Sequence, residues 1–160
     1  MIEITAVELS EIDFSPYGEV VRLEAGGPDV VTSQGDGWSG VFSKNTVIGQ
    51  AGSLGYTLGT NLPTVTTTME QHHHTKEALF PAAGPIALAV ADTKADAPHV
   101  DDIRAVIIRP GTLVVLHEGI WHDACHGLGQ DTPYYWYAYC DPNIVDPWTP
   151  ITGGPIRLSL

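Results

Sequence analysis

Apolar residues in this chain gather in short runs separated by Gly, Pro, Asp and Ser. The runs Leu54 to Leu58, Val65 to His72, Pro85 to Ala91, Ile103 to Arg109, Thr112 to His117 and Tyr134 to Tyr139 have the length and the β-branched or aromatic content of strands. Glu19 to Leu23 predicts a further strand. Before it, Leu9 to Gly18 reads as a short helical turn, with Ser10 or Asp13 as the cap and Pro16 and Gly18 as the stop. Residues 26–38, rich in Gly, Asp and Ser, read as a loop, and Asp92 to Asp101 as a polar connection. Pro110-Gly111 predicts a sharp turn that makes the flanking runs a hairpin. Nothing longer than two or three turns reads as helix. Many short strands with turn signals predict an all-β sandwich or closed barrel.

At 160 residues, one domain spanning 1–160 is expected, with a barrel core at about 50–141. The tail 142–160 carries Pro142, Pro147, Pro150 and Pro155 and is expected to pack on the barrel or on a second subunit. Seven basic residues against nineteen acidic ones give a formal charge of -12. Such a surface repels phosphate backbones and anionic lipid, which argues against nucleic-acid and membrane partners. No apolar run approaches the roughly 18 residues that cross a bilayer. Met1-Ile2-Glu3-Ile4 lacks the basic and apolar regions of a signal peptide, so the cytoplasm is the expected location. Cys125 and Cys140 are too few for a disulfide framework, and Cys125 is expected to be buried and inert.

Six of the seven histidines fall in two stretches, Glu70-Gln71-His72-His73-His74-Thr75-Lys76-Glu77 and His117-Glu118-Gly119-Ile120-Trp121-His122 with His126 after it. Imidazole and carboxylate suit first-row divalent metals. Side chains alternate across a strand, so an extended 66–74 puts Thr68, Glu70, His72 and His74 on one face. That face offers Glu-x-His-x-His, and Glu77 opens the next strand after a slight turn. In the second stretch His122 and His126 share a face if the strand continues, with Trp121 pointing the other way. His73 reads as exposed, His99 as solvated, and His126 as a residue that orients a ligand.

The spacings His72-x4-Glu77-x6-Gly84 and Gly111-x5-His117-x-Gly119-x2-His122-x3-His126 resemble the paired motifs of the cupin superfamily. That resemblance implies a double-stranded β-helix, or jelly-roll, barrel with few short helices. It puts His72, Glu77 and His122 on cupin ligand positions, with Glu70 where a further histidine would stand. Within cupins the chain resembles the ureidoglycolate lyase family. The resemblance rests on Phe14-Ser15-Pro16-Tyr17-Gly18-Glu19-Val20, Glu70-Gln71-His72, Ala78-Leu79-Phe80-Pro81, Arg104-Ala105-Val106, His117 to His122 and Asp141. These pieces span roughly residues 9–141. The chain departs from that family at Lys76-Glu77, which usually reads Thr-Gln, and at Glu118, usually arginine. Glu77 and the additional histidines move the site towards a stronger metal centre.

The resemblance implies a homodimeric, metal-assisted lyase that splits ureidoglycolate, a small carboxylate, into glyoxylate and urea. The expected metal ligands are His72 and His122 with His74, Glu77 or Glu70 completing the set, holding a divalent ion such as Ni, Mn, Fe or Zn. The expected catalytic residues are Glu70, His74 and His117. Only Arg22, Arg104, Arg109 and Arg157 could pair with a substrate carboxylate. Either face of Tyr134 to Tyr139 could lend a hydroxyl to a pocket. Tyr137 and Arg104 are the candidates for substrate contact. The same machinery would serve another metal-dependent cupin enzyme, an isomerase, hydratase, decarboxylase or dioxygenase, or a non-catalytic cupin that binds a small molecule.

Overall fold

The computed structural model describes residues 1–160 and is built from strands, with 3-10 turns at Leu9–Glu11 and Val100–Asp102. No helix is long and apolar enough to cross a membrane. Two five-stranded sheets carry the fold. The first runs in the order Trp121–His122, Ile86–Ala91, Ile103–Ile108, Val7–Glu8, with His126–Gly127 also on Ile86–Ala91. The second runs Gly18–Arg22, Thr112–Leu116, Glu77–Pro81, Thr132–Ala138, Ser53–Gly59.

Side-chain alternation explains how these sheets pack. Ile86, Leu88, Val90, Val106 and Ile108 of the first sheet meet Leu79, Val114, Leu116 and Tyr134 of the second in one buried cluster. The opposite face of the first sheet carries small residues at Ala87, Ala89, Ala91 and Ala105. These leave room for a three-stranded sheet of Ile2–Thr5, Ile156–Ser159 and Thr64–Thr66, whose Ile156 and Leu158 pack there. With both faces covered, Ile86–Ala91 is buried at every position, which is why it reads as an unbroken apolar run. The outer face of the second sheet buries Ala78, Leu113 and Val115 beneath Ile48, with Phe80 and Tyr137 alongside.

Three sequence expectations require correction. Pro110-Gly111 makes no hairpin: Ile103–Ile108 pairs with Ile86–Ala91, and Thr112–Leu116 with Glu77–Pro81 and Gly18–Arg22. The turn carries the chain from one sheet to the other, so each apolar strand gains a covered face. Residues 26–38 hold part of a real hairpin, Val30–Gly35 with Trp38–Ser43, turning at Asp36-Gly37 with Gly37 at φ 82°. Asp-Gly is a strong two-residue hairpin signal, hidden here by the polar composition around it. Val65 to His72 is not one strand: Thr64–Thr66 pairs with Ile156–Ser159, and Thr68–Met69 with Thr149–Pro150. Beyond Met69, only an isolated bridge joins Glu70 to His122.

Candidate metal centre

The break after Met69 shapes the site. Glu70 and His122 exchange backbone hydrogen bonds of 2.9 and 2.8 Å, and the Gly119 N–H donates to the His72 carbonyl at 2.7 Å. Residues 70–72 are thereby strapped to the second histidine stretch. Residues 72–76 then turn back into Glu77–Pro81, whose alternation puts Glu77 and Leu79 on the inner face. Thr75 fixes this return, accepting the Tyr139 N–H at 3.0 Å and donating to the Lys76 carbonyl at 2.6 Å. Four donor side chains from three backbone segments converge at the barrel mouth.

Glu77 lies at their centre, its Oε2 3.0 Å from His72 Nε2 and 3.2 Å from His122 Nε2. Glu70 Oε1 stands 3.9 Å from His72 Nε2 and 3.8 Å from His122 Nε2. Donor atoms of Glu70, His72 and His122 all lie within 4.8 Å of one another. Ligands about 2.1 Å from a tetrahedral ion are separated by about 3.4 Å, and these separations bracket that value. Both imidazoles are oriented by their other nitrogen. His122 Nδ1 donates to the Ile120 carbonyl at 3.1 Å, and His72 Nδ1 donates to Asp146 Oδ2 at 2.6 Å. Each Nε2 therefore faces the group. His122 Nε2 is buried 3.2 Å from Glu77 Oε2 and makes no other close contact to a hydrogen-bonding group. A buried ring nitrogen aimed at two carboxylates and a second imidazole fits a metal ion. The Glu70, His72, His122 group could hold one, with Glu77 within reach of the same point.

Charge in the cluster is strongly coupled. Burial opposes the ionisation of Glu77, but the His122 and His72 imidazoles outweigh it and hold the pKa near 2. Burial opposes the charging of His72, and Glu77 with Asp146 overcomes this to raise the pKa to about 9. His122 is raised as well, with Glu77 again outweighing burial. Glu70 is raised by burial, partly offset by His122 and His72. One carboxylate is thus held ionised and the other is a better proton acceptor, a division suited to a ligand and a base.

The group opens into a cavity of about 510 Å³. Its walls include Tyr134, Trp136 and Ala138 from the inner face of Thr132–Ala138, with Tyr139, Ile144, Val145 and Trp148 at the C-terminal side. Burial keeps Tyr134 protonated as a neutral hydroxyl. Glu70, Glu77, Asp123, Asp141 and Asp146 all line the cavity, and neither arginine nor lysine does.

Not every expected residue reaches this cavity. His74 lines it, but its Nδ1 lies 3.7 Å from Asp146 and its ring stands edge-on to Tyr139, because the chain has left the extended register by residue 72. His117 lies outside, its Nε2 3.1 Å from the Ser15 carbonyl. Arg104 is exposed and bonds the Asp101 and Ile103 carbonyls at 2.9 and 2.8 Å. Tyr137 packs on the outer face with Leu113 and Ala78, opposite the cavity. Arg109 pairs with Glu8, and Arg22 and Arg157 are exposed on strands away from the mouth. His73 is exposed, and exposed His99 accepts from the Asp101 N–H as the cap of a 3-10 turn. His126 donates from Nε2 to Asp123 at 3.0 Å rather than towards His72 or His122, and Thr66 bonds the same carboxylate oxygen. Buried Cys125 has its thiol pushed up by desolvation and stays un-ionised.

Sequence reasoning missed Asp123 and Asp146. Asp123 follows His122 directly and could have been read as part of the second stretch. Asp146 lies in the proline-rich tail, where nothing in the spacing links it to His72.

Fold and site together define a jelly-roll cupin with a carboxylate and histidine group at the barrel mouth. The family model described as Ureidoglycolate lyase matches residues 1–144, and the chain belongs to that family. Among solved structures, it is similar to the WlaRB TDP-quinovose 3,4-ketoisomerase of Campylobacter jejuni at 11% identity and TM-score 0.53, covering 78% of this chain and 88% of that one. It is also similar to a 3,4-ketoisomerase from Helicobacter canadensis at 11% identity and TM-score 0.52, covering 78% and 84% of the two chains. At these identities the likeness concerns the barrel alone. A comparison with curated protein sequences finds no match.

Proposed function

We propose that this protein is a metal-assisted lyase that cleaves the carbon–nitrogen bond of ureidoglycolate to give glyoxylate and urea. The observation that carries the reading is the family match over residues 1–144, which includes the whole Glu70, His72, Glu77 and His122 group. His72, His122 and Glu77 would hold a divalent ion, Glu77 because its Oε2 is the carboxylate oxygen nearest both Nε2 atoms. Such an ion supplies positive charge for the substrate carboxylate and for the alkoxide that develops as the bond breaks. Glu70, whose pKa is raised, takes the proton from the substrate hydroxyl. As that oxygen becomes the aldehyde carbonyl, the carbon–nitrogen electron pair leaves with the urea nitrogen. His74, on the cavity wall, returns a proton to that nitrogen.

Glyoxylate release from ureidoglycolate, followed with Ni, Mn, Fe or Zn added separately to metal-stripped protein, tests the reading. Release that depends on one of these ions supports it, and no glyoxylate with any of them overturns it. A second reading, a different metal-dependent cupin reaction on an uncharged substrate, is favoured by the absence of arginine and lysine from the cavity. Product formation from a neutral hydroxyketone, with none from ureidoglycolate, would select it.

The protein is further proposed to be a homodimer. Ser53–Gly59 is an edge strand, and Leu54, Tyr56 and Leu58 on it are 65%, 61% and 61% exposed. An apolar edge of that kind is ordinarily covered.

A further inference from the structure

The tail supplies a contact that the family match does not reach, because Asp146 lies beyond residue 144. We infer that Asp146 is a positioning residue that latches the segment 141–148 over the cavity through His72, so that closure of this segment and metal binding strengthen each other. The geometry is direct. Asp146 Oδ2 accepts from His72 Nδ1 at 2.6 Å and lies 3.7 Å from His74 Nδ1. Asp141, Ile144, Val145, Asp146 and Trp148 line the cavity, so this segment forms its wall as well as its latch. Little else holds it down. The Ile144 N–H bonds the Asp141 carbonyl within the segment, and Val145 and Trp148 are 87% and 46% exposed.

The coupling follows from imidazole chemistry. Relative to a neutral ring, a cation on Nε2 withdraws electron density and makes the Nδ1–H a stronger donor to the Asp146 carboxylate. That carboxylate in turn fixes the tautomer with a free Nε2 and raises its basicity. A contact strengthened by metal must strengthen metal binding by the same factor. Segment 141–148 therefore closes more firmly over metal-loaded His72 than over neutral His72.

This inference rests on the metal reading proposed above, not on the choice of substrate, and its test uses metal alone. Asp146→Ala, Asp146→Asn and the unaltered protein are titrated with Ni or Zn by calorimetry at a pH high enough to leave the metal-free His72 ring neutral. The same samples, with and without metal, are subjected to limited proteolysis in segment 141–148. Asp146→Ala is expected to weaken binding about 10- to 100-fold. Asp146→Asn, whose side-chain oxygen still accepts from Nδ1, is expected to recover most of that loss. Metal should protect the segment from cleavage in the unaltered protein and not in Asp146→Ala. Equal affinity in the unaltered protein and a folded Asp146→Ala overturns the latch while leaving the metal centre standing. Failure of the unaltered protein to bind either ion overturns both.

Discussion

Raising the pH should weaken the metal-free protein and strengthen its hold on metal over the same interval. Metal-free His72 is an imidazolium at neutral pH, with one N–H directed to Asp146 and the other to Glu77. Its folded pKa of about 9 lies above the ordinary value of 6.5, so its contribution to stability is complete below about pH 6.5 and is lost as pH rises through about 9. At about 1.36 kcal/mol per pH unit, that interval corresponds to about 3 kcal/mol. His122 is shifted in the same direction and adds to the slope. A metal needs the Nε2 lone pair, so binding must expel this proton, and His72 alone should raise apparent affinity by up to about tenfold per pH unit below its titration, with His122 adding to the slope. Thermal unfolding at pH 6, 7.5 and 9, with and without Zn, gives both slopes, and His72→Gln isolates this residue. The metal-free melting temperature should fall across the series by more in the unaltered protein than in His72→Gln, while the increment due to Zn grows. Parallel metal-free slopes for the two proteins, or a Zn increment independent of pH, would refute the charge assignment.

Other consequences follow from the same geometry. Glu77→Gln removes the carboxylate nearest both imidazoles and should lower stability by about 3–5 kcal/mol while weakening metal binding, read by chemical denaturation and calorimetry. On the acid side, the stability that Glu77 supplies is complete above about pH 4.5 and is lost as pH falls through about 2, so Glu77→Gln should flatten the acid limb of the unfolding curve. His117→Ala and Arg104→Ala alter residues outside the cavity and should leave kcat/KM for glyoxylate release within about twofold; a loss above about tenfold would place them in the chemistry. Leu58→Glu puts a charge on the exposed edge strand and should convert a dimer to monomer by light scattering with little change in metal affinity.

The sequence disclosed the chemistry of the site better than its geometry. All-β architecture was legible because the turn residues recur and the apolar runs are short. His72, Glu77 and His122 were legible because they stand at fixed spacings within two stretches. What misled was the assumption that Val65 to His74 is one extended strand. The chain changes partner at Thr67 and again at Glu70, and alternation stops predicting faces once the partner changes. His74 consequently turns towards Asp146, whereas Glu70 still reaches the group because its backbone is paired with His122. Tyr137 and the Pro110-Gly111 turn failed for a shared reason. Thr112–Leu116 is buried on both faces, and Ile103–Ile108 and Thr132–Ala138 are apolar on both, so apolar alternation cannot tell the cavity side from the outer cluster, nor a hairpin from a crossover. Asp146 could not have been found from spacing, since its contact spans from the tail to the first histidine stretch.

The acid-rich cavity ties these features together. Five carboxylates line it against the imidazoles of His72, His74 and His122, with no arginine or lysine. For a small carboxylate, such a wall is repulsive unless a cation stands between, and the Nε2 atoms of His72 and His122 mark the place where one would be held. Exposed arginines elsewhere on the barrel cannot compensate, because solvent and salt screen them over the intervening distance. A metal ion would therefore do more than activate the substrate hydroxyl. It would place a fixed positive charge beside the Nε2 atoms, where an anion could be held against the surrounding carboxylates. This accounts for an acidic side chain at Glu77, the position where the family usually carries glutamine: each added carboxylate tightens the grip on the cation while deepening the dependence of anion binding upon it.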